Sequence, residues 1–260
     1  MFWLVSTVGT RAEDGFSFPL LKHWVQYYLD LGFSPEHWKI SLFARDLDDN
    51  MEWVAEWFTA QGIAPVRCYP NSLQFNVFIS TDERNRIRSE LPPEDWVILV
   101  DPDEFYGYRK PIQQTLDDMD AAGFDALRGY FVDRVAADFS LPEVTDAPLF
   151  DQFPVETSIT QKITTGNCLK ICAVKNRYGV ILGHHHVHGT RPNYAPEWIK
   201  VHHFKWTKGL LKRVRRHQVL VEPRYWWRHE NENLLKYLTD DRLTFTPEQV
   251  KFEPIKDGTP

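Results

Sequence analysis

The chain has 260 residues, enough for one substantial α/β domain. Hydrophobic residues make up 43% and charged residues 25%, a balance that excludes an intrinsically disordered chain. Lys and Arg number 30 against 36 Asp and Glu, which gives a net charge of −6 and a pI near 5.9. A protein that coats nucleic acid needs the opposite balance because it must neutralise phosphates. We therefore expect no nucleic-acid partner.

The sequence predicts neither a membrane span nor a disulfide framework. No run reaches the roughly 18–20 apolar residues that a span needs, and the apolar segment 1–8 lacks the basic leader and length of a signal peptide. The three cysteines, Cys68, Cys168 and Cys172, have no paired spacing. We expect a cytoplasmic protein, whose basic run 205–216 would still allow peripheral contact with an anionic membrane.

The first hundred residues alternate between strand and helix patterns. Strands are predicted over 2–8, 38–43, 64–69 and 96–100, and helices over 18–31, 48–61 and 75–91. Such alternation implies right-handed crossovers and a mostly parallel, Rossmann-like sheet flanked by helices. Ligands bind such sheets beyond the carboxyl ends of the strands. The residues that directly follow each strand are therefore the first candidates for a binding site.

The second half of the chain has a less regular pattern. Strands are predicted over 126–136, 169–175, 179–182 and 199–206, and a helix over 208–220. Because the sequence contains no linker or repeat, we predict one domain over 1–260. Its parts are a regular half over about 1–123, an irregular half over about 124–222, and a C-terminal helix and tail over about 223–260.

The most informative local sequence is the acidic turn Asp101-Pro102-Asp103-Glu104-Phe105, which follows a buried strand. Residues two apart in an extended segment point the same way, so Asp101 and Asp103 can converge on one ligand. Oxygen ligands suit Mg²⁺ or Mn²⁺, which bind through one or two carboxylates and substrate phosphates. An ordinary Asp/Pro turn is the alternative, but its position after three strand–helix units favours a metal–phosphate site.

Five segments in this order resemble family 2-like glycosyltransferases with the GT-A fold. The first, 95–105, is similar to their "vDxDEF" segment, and 132–136 and 203–206 are similar to the "DRvA" and "HFKW" segments of a bacterial branch. The segments 150–154 and 183–185 also match. The resemblance covers roughly residues 90–215 and implies a GT-A-like fold.

The resemblance also implies an activity, the transfer of a sugar from a nucleotide-diphosphate-sugar to a hydroxyl acceptor with inversion. Mn²⁺ or Mg²⁺ would bridge Asp103 and the diphosphate, with Glu104 beside Asp103. Asp101 would face the ribose or sugar. The donor would be a UDP-, GDP- or dTDP-sugar, and the acceptor a glycan, a lipid-linked molecule or a small molecule. The regular half would bind the donor and the irregular half the acceptor.

Further donor contacts are predicted after the first two strands and near the last motif. Thr7 lies near the end of the first strand, and Arg11 and Asp46 follow the first and second strands, although these segments lack the Asn-Glu and Asn-x-Ser-x-Asp patterns common in the wider group. Lys205 lies in the "HFKW" segment, where its charge could meet the diphosphate.

Histidines are concentrated in two places, the loop 183–189 and the pair at 202–203. GT-A enzymes commonly use a late histidine as a metal ligand, a position that His203 matches best and His185 less well. A zinc site of His184, His186 and His188 is the alternative, and it would make the protein a metal-dependent hydrolase or phosphodiesterase. Ordinary hydrogen-bonding roles remain open for each histidine.

Inverting transfer requires a carboxylate that accepts the proton of the acceptor hydroxyl. Asp133 is the leading candidate because Arg134 next to it would keep it ionised, although the two could equally form a structural pair. Glu143, Asp151 and Glu156 occupy the same region. Trp206 could stack on a sugar, while Trp24 and Trp38 are predicted core residues. A non-catalytic nucleotide-sugar-binding module is a further alternative.

Overall fold

A computed structural model describes residues 1–11, 16–44, 49–69, 77–180, 182–220 and 226–254. Within these ranges the strands are β1 (Phe2–Gly9), β2 (Trp38–Phe43), β3 (Arg67–Tyr69), β4 (Trp96–Leu99), β5 (Glu104–Tyr106), β6 (Ala126–Val135), β7 (Val155–Thr157), β8 (Leu169–Lys175), β9 (Gly179–Val180), β10 (Val187–His188) and β11 (Tyr194–His203). The helices are α1 (Phe18–Asp30), α2 (Asp49–Ala60), α3 (Val77–Ser89), α4 (Ile112–Ala121), α5 (Leu149–Gln152), α6 (Ile159–Lys162), α7 (Leu210–Leu220), α8 (Trp226–Leu235) and α9 (Pro247–Val250).

One nine-stranded sheet runs through the described residues in the order β3-β2-β1-β4-β8-β6-β11-β5, with β7 paired to β6. The first four strands are parallel, β8 is antiparallel to both of its neighbours, and β11 is parallel to β6. Six of the nine strands therefore run in one direction. The predicted α/β class, a largely parallel sheet flanked by helices, is confirmed.

Side chains that alternate along the strands build a core on each face of the sheet. Leu4 and Ile98 pack on one face with residues of α1, α2 and α4, whereas Val5 and Val97 pack on the other face with Ile87 of α3. All five are almost fully buried, as expected for strands covered by helices on both sides. Trp24 and Trp38 belong to the first core, as predicted.

Several elements differ from the sequence prediction. The short strand β5 and the helix α4 were not predicted, and β11 begins at Tyr194 instead of at residue 199. The predicted irregular half contributes β6, β8 and β11 to the same sheet as β1–β4, with β8 beside β4. Within the described ranges, none of the helices has the length and apolar character needed to cross a membrane.

The sheet curves round the acidic turn. Only residues 100–103 connect β4 to β5, although three strands lie between these two in the sheet. Four steps between flat neighbouring strands would span about 19 Å, whereas the five residue steps from Leu99 to Glu104 reach about 18 Å at most. Moreover, the turn is not extended, because the Glu104 N–H donates to the Asp101 carbonyl at 3.0 Å. The sheet must therefore bend, which brings β5 and β11 against the turn.

Candidate active site

Helix α1 and strand β1 fix the backbone of the acidic turn. The hydroxyl of Tyr28 on α1 accepts a hydrogen bond from the Tyr106 N–H at 3.1 Å and donates to the Glu104 carbonyl at 3.2 Å. The Ser6 hydroxyl donates to the Val100 carbonyl at 2.7 Å. These bonds use buried side chains, so the turn has a defined position beside the carboxyl end of β1.

A cavity of about 310 Å³ opens between α1, the end of β1 and the acidic turn, a size in the range of small-ligand sites. Its lining is polar at the turn and apolar along α1: Thr7, Val8, Gly9, Phe16, Ser17, Leu20, Leu21, Asp101, Pro102, Asp103, Glu104 and His203. Of the donor contacts predicted at the strand ends, Thr7 is in this lining, and its hydroxyl is 2.6 Å from that of Ser80. Arg11 lies two residues beyond β1. Asp46 lies outside the described residues.

Strand pairing brings three predicted site residues side by side. His203 on β11 is the register partner of Glu104 on β5 and of Asp133 on β6. Register partners on adjacent strands point to the same face of a sheet. The sequence placed these residues up to 99 positions apart, and the fold makes them neighbours.

His203 is held between two carboxylates. Its Nδ1 is 2.9 Å from Asp133 Oδ1, and its Nε2 is 3.6 Å from Asp103 Oδ2. The ring stacks on Phe131, with centroids 4.4 Å apart. Burial opposes a charge on the ring, but the two carboxylates raise the pKa of His203 above its usual value. Burial likewise opposes ionisation of Asp103, and His203 nevertheless lowers the pKa of Asp103.

Asp133 is fully buried and saturated with hydrogen bonds. Its carboxylate accepts from the Thr160 N–H at 2.6 Å, the Thr160 hydroxyl at 2.8 Å and the Trp206 indole N–H at 3.1 Å, besides its bond with His203. These contacts direct the carboxylate toward His203 and away from the cavity. Trp206 is fully buried, so it packs in the protein interior and exposes no face on which a sugar could stack.

A second cluster lies deeper, behind the acidic turn. Among the described residues, Asp101, Glu104 and His184 form a group whose potential metal-ligand atoms lie within 4.8 Å of one another. Two cations reach the same group. Lys170 Nζ is 2.7 Å from Glu104 Oε1 and 3.5 Å from Asp101 Oδ2, and Arg84 forms a very short ion pair with Asp101.

The charges of this deeper cluster balance without a metal ion. The two ring nitrogens of His184 lie 3.0 Å from Arg84 Nη1 and 3.0 Å from Lys170 Nζ, and burial lowers the pKa of His184, which keeps the ring neutral. A divalent cation placed among these ligands would face two side-chain cations at close range. The predicted metal ligand Glu104 therefore has Lys170 as its partner, while Asp103, with a 34% exposed side chain, faces the cavity.

The same cations set the ionisation of the two carboxylates. Burial opposes ionisation of Asp101, yet Arg84 and Lys170 hold the pKa of Asp101 well below its usual value. Burial dominates at Glu104 and raises its pKa to about 7, despite Lys170. Asp101 therefore remains an anion at neutral pH, whereas Glu104 titrates there.

Two basic side chains, Lys205 and Arg213, act electrostatically on Asp103. The charge of Lys205 acts on Asp103, Asp133 and His203, and its Nζ lies over the Trp206 ring. Arg213 on α7 donates to the Lys205 carbonyl at 2.9 Å and is electrostatically coupled to Asp103. Arg213 belongs to the basic run 205–216 of the sequence.

The other carboxylates considered as proton acceptors lie elsewhere. Glu143 is exposed and accepts from Lys208 at 2.7 Å. Glu156 accepts from both Arg134 and Lys200, at 2.7 and 2.8 Å. Asp151 is exposed on α5.

The histidines of the loop 183–189 do not converge in the structure. His184 belongs to the deeper cluster, His186 Nε2 is 2.9 Å from the Asn167 side-chain amide, and His188 lies exposed on β10. His185 donates through Nδ1 to the Leu169 carbonyl. Among the described residues, His184 is the only member of this loop in a group that could hold a metal ion.

We predict that His185 makes the folded state acid-sensitive. Burial, followed by the charge of Lys170, lowers the pKa of His185 to about 3, whereas an unfolded histidine titrates near about 6.5. The unfolded state therefore takes up the proton first, and between pH 7 and pH 5 this group should reduce the free energy of unfolding by about 2 kcal/mol. Urea unfolding at both pH values checks this. The variant His185→Phe should be less stable than the unmodified protein at both pH values, but its free energy of unfolding should fall less between pH 7 and pH 5. An equal fall in the two proteins would contradict the assignment.

Comparison with known proteins gives structural likenesses only. No protein-family model and no curated protein matches the chain. Among solved structures, it is similar to TarS of S. aureus (10% identity, TM-score 0.38, covering 67% of this chain and 47% of that one) and to a putative glucose-1-phosphate thymidylyltransferase of Bacillus anthracis (6%, 0.33, 57% and 62%). It is also similar to mouse xyloside xylosyltransferase 1 (12% identity, TM-score 0.27, covering 68% of this chain and 68% of that one). The chain spans 21–47% of the TarS structures. Likeness at this level concerns the fold alone.

Proposed function

We propose that the protein is a metal-dependent glycosyltransferase of the family 2-like, GT-A type, which transfers a sugar from a nucleotide-diphosphate-sugar to a hydroxyl acceptor. The observation that carries this proposal is the Asp103–His203 pair at the cavity, with Asp133 behind the ring. Histidines that ligate metals typically donate their other ring N–H to a carboxylate, which fixes the tautomer. Here Asp133 accepts from Nδ1, so the Nε2 lone pair is directed toward Asp103.

A divalent cation fits this pair better than the deeper cluster. A carboxylate oxygen and an imidazole nitrogen suit Mn²⁺, and Mg²⁺ accepts the same carboxylate. Asp103 and His203 would hold the ion, which when bound would offset the negative charge on the departing nucleoside diphosphate. In this proposal Asp133 positions His203, and Glu104 orders the turn through Lys170.

The remaining residues of the site support a diphosphate-sugar as the ligand. The apolar stretch of the cavity along α1 offers Leu20 and Leu21 to a base or sugar, and Asp101 presents an ionised carboxylate to hydroxyl groups. The charges of Lys205 and Arg213 interact with that of Asp103, and in this proposal both side chains meet the phosphates as charge-assisted donors. We propose inversion by a single displacement.

Thermal unfolding with nucleotides tests the proposal. We expect one of UDP, GDP and dTDP, at about 100 times its Kd, to stabilise the protein by about 2.7 kcal/mol in Mn²⁺, a shift of several degrees for a chain of this size. The matching monophosphate is the control, since it lacks the second phosphate, and EDTA should abolish the shift. If no diphosphate stabilises the protein in Mn²⁺, the proposal fails. Zinc retained through purification would instead favour a hydrolase.

A further inference from the structure

Two aromatic side chains in the first half of β11 contact an arginine of β6. Trp198 is the register partner of Arg128, and the Arg128 guanidinium carbon lies 4.2 Å from the centroid of the Trp198 ring. The same carbon lies 4.5 Å from the centroid of the Tyr194 ring. All three side chains are partly exposed. Because guanidinium groups are attracted to the faces of aromatic rings, the two rings hold this one in a defined position.

The charge of Arg128 has no partner among the described residues. No carboxylate there forms an ion pair with it, and its Nε is buried without a hydrogen-bond partner. Arg134, farther along the same strand, is paired: it donates to Glu156 at 2.7 Å and to His202 at 3.1 Å. A buried donor without an acceptor costs free energy. A bound anion would offset the uncompensated charge of Arg128.

A second arginine lies over the same tyrosine ring. The Arg191 guanidinium carbon is 6.0 Å from the Tyr194 ring centroid, so the Arg128 and Arg191 carbons can be no farther apart than the sum of their distances to it. Arg191 is exposed, and no carboxylate of the described residues pairs with it. Burial, together with the charge of Arg191, lowers the pKa of Arg128. Two cations thus share one ring, and an anion that contacts both would relieve their repulsion.

The carboxylates closest to these arginines in the sequence do not neutralise them. Asp125 accepts from Arg177 at 2.5 Å and from the Tyr178 hydroxyl at 2.8 Å. Glu197 is exposed on β11 and forms no ion pair with a cation of the described ranges. The two arginines therefore form a positive site in a chain whose net charge is −6.

We propose that Arg128 and Arg191 bind a phosphate group, with Tyr194 and Trp198 as the walls of the site. A guanidinium donates two parallel N–H bonds to a phosphate. A phosphate monoester carries about 1.5–2 negative charges at neutral pH and three acceptor oxygens, enough to neutralise both cations. A carboxylate carries one charge and would leave one cation uncompensated. Soluble phosphate compounds and lipid headgroups both offer this group, so the test includes both sources.

This site is separate from the candidate active site. β6 and β11 pair in continuous register from Trp198 to His203, and these two residues of β11 lie about 17 Å apart along the strand. Because they are an odd number of positions apart, their side chains point to opposite faces of the sheet. Phosphate binding at Arg128 therefore requires neither Mn²⁺ nor the proposed glycosyl transfer.

The indole N–H signals of ¹⁵N-tryptophan-labelled protein test the proposal. Sodium phosphate replaces sodium chloride at constant pH and ionic strength, with EDTA present, and the Trp198 signal is identified by its absence in Trp198→Phe. We expect phosphate to move this signal along a saturable curve that gives a Kd, and acetate to bind about 10-fold more weakly or worse. A Trp198 signal that phosphate leaves unmoved, or that acetate moves with equal affinity, would overturn the proposal.

Three Arg→Gln variants are compared in the same titration. Arg128→Gln and Arg191→Gln should each raise the Kd for phosphate by about 10-fold or more, because each removes charge-assisted hydrogen bonds. Arg109→Gln is the control, since Arg109 is exposed and pairs with no carboxylate of the described chain. Its Kd should stay within about twofold, because salt screens a distant surface charge. If Arg128→Gln does not fold, Arg191→Gln at its exposed position decides, and an unchanged Kd there would refute the site.

Sedimentation with vesicles then distinguishes a lipid phosphate from a soluble one. Vesicles of phosphatidylcholine are compared with and without phosphatidic acid, whose headgroup is a phosphate monoester. Binding to phosphatidic acid that is lost in Arg191→Gln and kept in Arg109→Gln would identify a lipid headgroup as the ligand. Vesicle binding that is absent, or equal in the two variants, would leave a soluble phosphate compound as the ligand of this site.

Discussion

Asp103→Asn is expected to weaken Mn²⁺ binding and to lower metal-dependent donor turnover by at least about 100-fold. The amide keeps the size of the side chain but removes the charge that faces the cavity, and a neutral amide is a poorer ligand for a hard cation. Even partners behind a metal ligand cost about 10–100-fold when they are lost, so a direct ligand should cost at least as much. Isothermal titration with Mn²⁺ and the rate of diphosphate release measure the two effects.

Two further variants test whether the loss of the Asp103 carboxylate itself causes the loss of Mn²⁺ binding and turnover. Asp118→Asn makes the same chemical change at an exposed ion pair on α4 and should leave both quantities unchanged. Asp133→Asn should retain a weaker bond to His203 and reduce Mn²⁺ affinity by about 10–100-fold. Normal Mn²⁺ dependence in Asp103→Asn would place the metal elsewhere and refute the assignment.

Many of the strands and helices around this site depend on local sequence patterns, so they could be predicted from the sequence. The bounds of β2 and β8 match the predicted strands, α1 differs from its prediction by one residue at its C-terminal end, and α2 differs by one residue at each end. Apolar periodicity and stop signals are local properties, which is why they could be predicted. The acidic turn could be located because it follows a buried, continuously apolar strand. Helix α4 was missed although Ile112, Leu116 and Met119 form its buried stripe.

The contacts that balance the charges of the site join residues that lie far apart in the chain. The sequence therefore predicts these contacts less well. Lys170 interrupts the apolar strand Leu169–Lys175, a signal of a buried cation that needs a partner, but nothing in the sequence says that its partner is Glu104. Arg84 lies on a helix with other arginines and resembles a solvated residue, yet it is buried.

The three carboxylates of the acidic turn have different charged partners. Arg84 and Lys170 pair with Asp101 and Glu104, whereas Asp103 pairs with His203; the Asp101 and Asp103 side chains both line the cavity and are 33% and 34% exposed. Without these cations, the mutual repulsion of the three carboxylates would raise their pKa values and weaken the anion that a metal needs. In the proposed site, Arg84 and Lys170 therefore keep Asp101 ionised beside Asp103.

Lys170→Met is expected to destabilise the fold by about 3 kcal/mol, because removing one partner of a buried ion pair leaves an uncompensated charge. The Lys170 side chain is only 3% exposed, and its Nζ contacts Glu104 and the Gly183 carbonyl, at 2.7 and 2.9 Å. Lys110→Met removes a partner from an ion pair of similar length, 2.6 Å, whose members are both about half exposed. That change should cost less than about 1 kcal/mol. Urea unfolding measures both losses.

The pH dependence of the free energy of unfolding and a double variant test whether Glu104 causes the loss of stability in Lys170→Met. The pKa of Glu104 is already raised to about 7, above the value near about 4.5 of an unfolded Glu, so the folded state takes up the proton first as the pH falls. Without Lys170 that pKa should rise further, and the deficit of Lys170→Met should be smaller at pH 6 than at pH 8. Lys170→Met combined with Glu104→Gln should recover more than half of the lost stability. A pH-independent deficit with no recovery would mean that Lys170 stabilises the fold by packing alone, and that the turn does not depend on this ion pair.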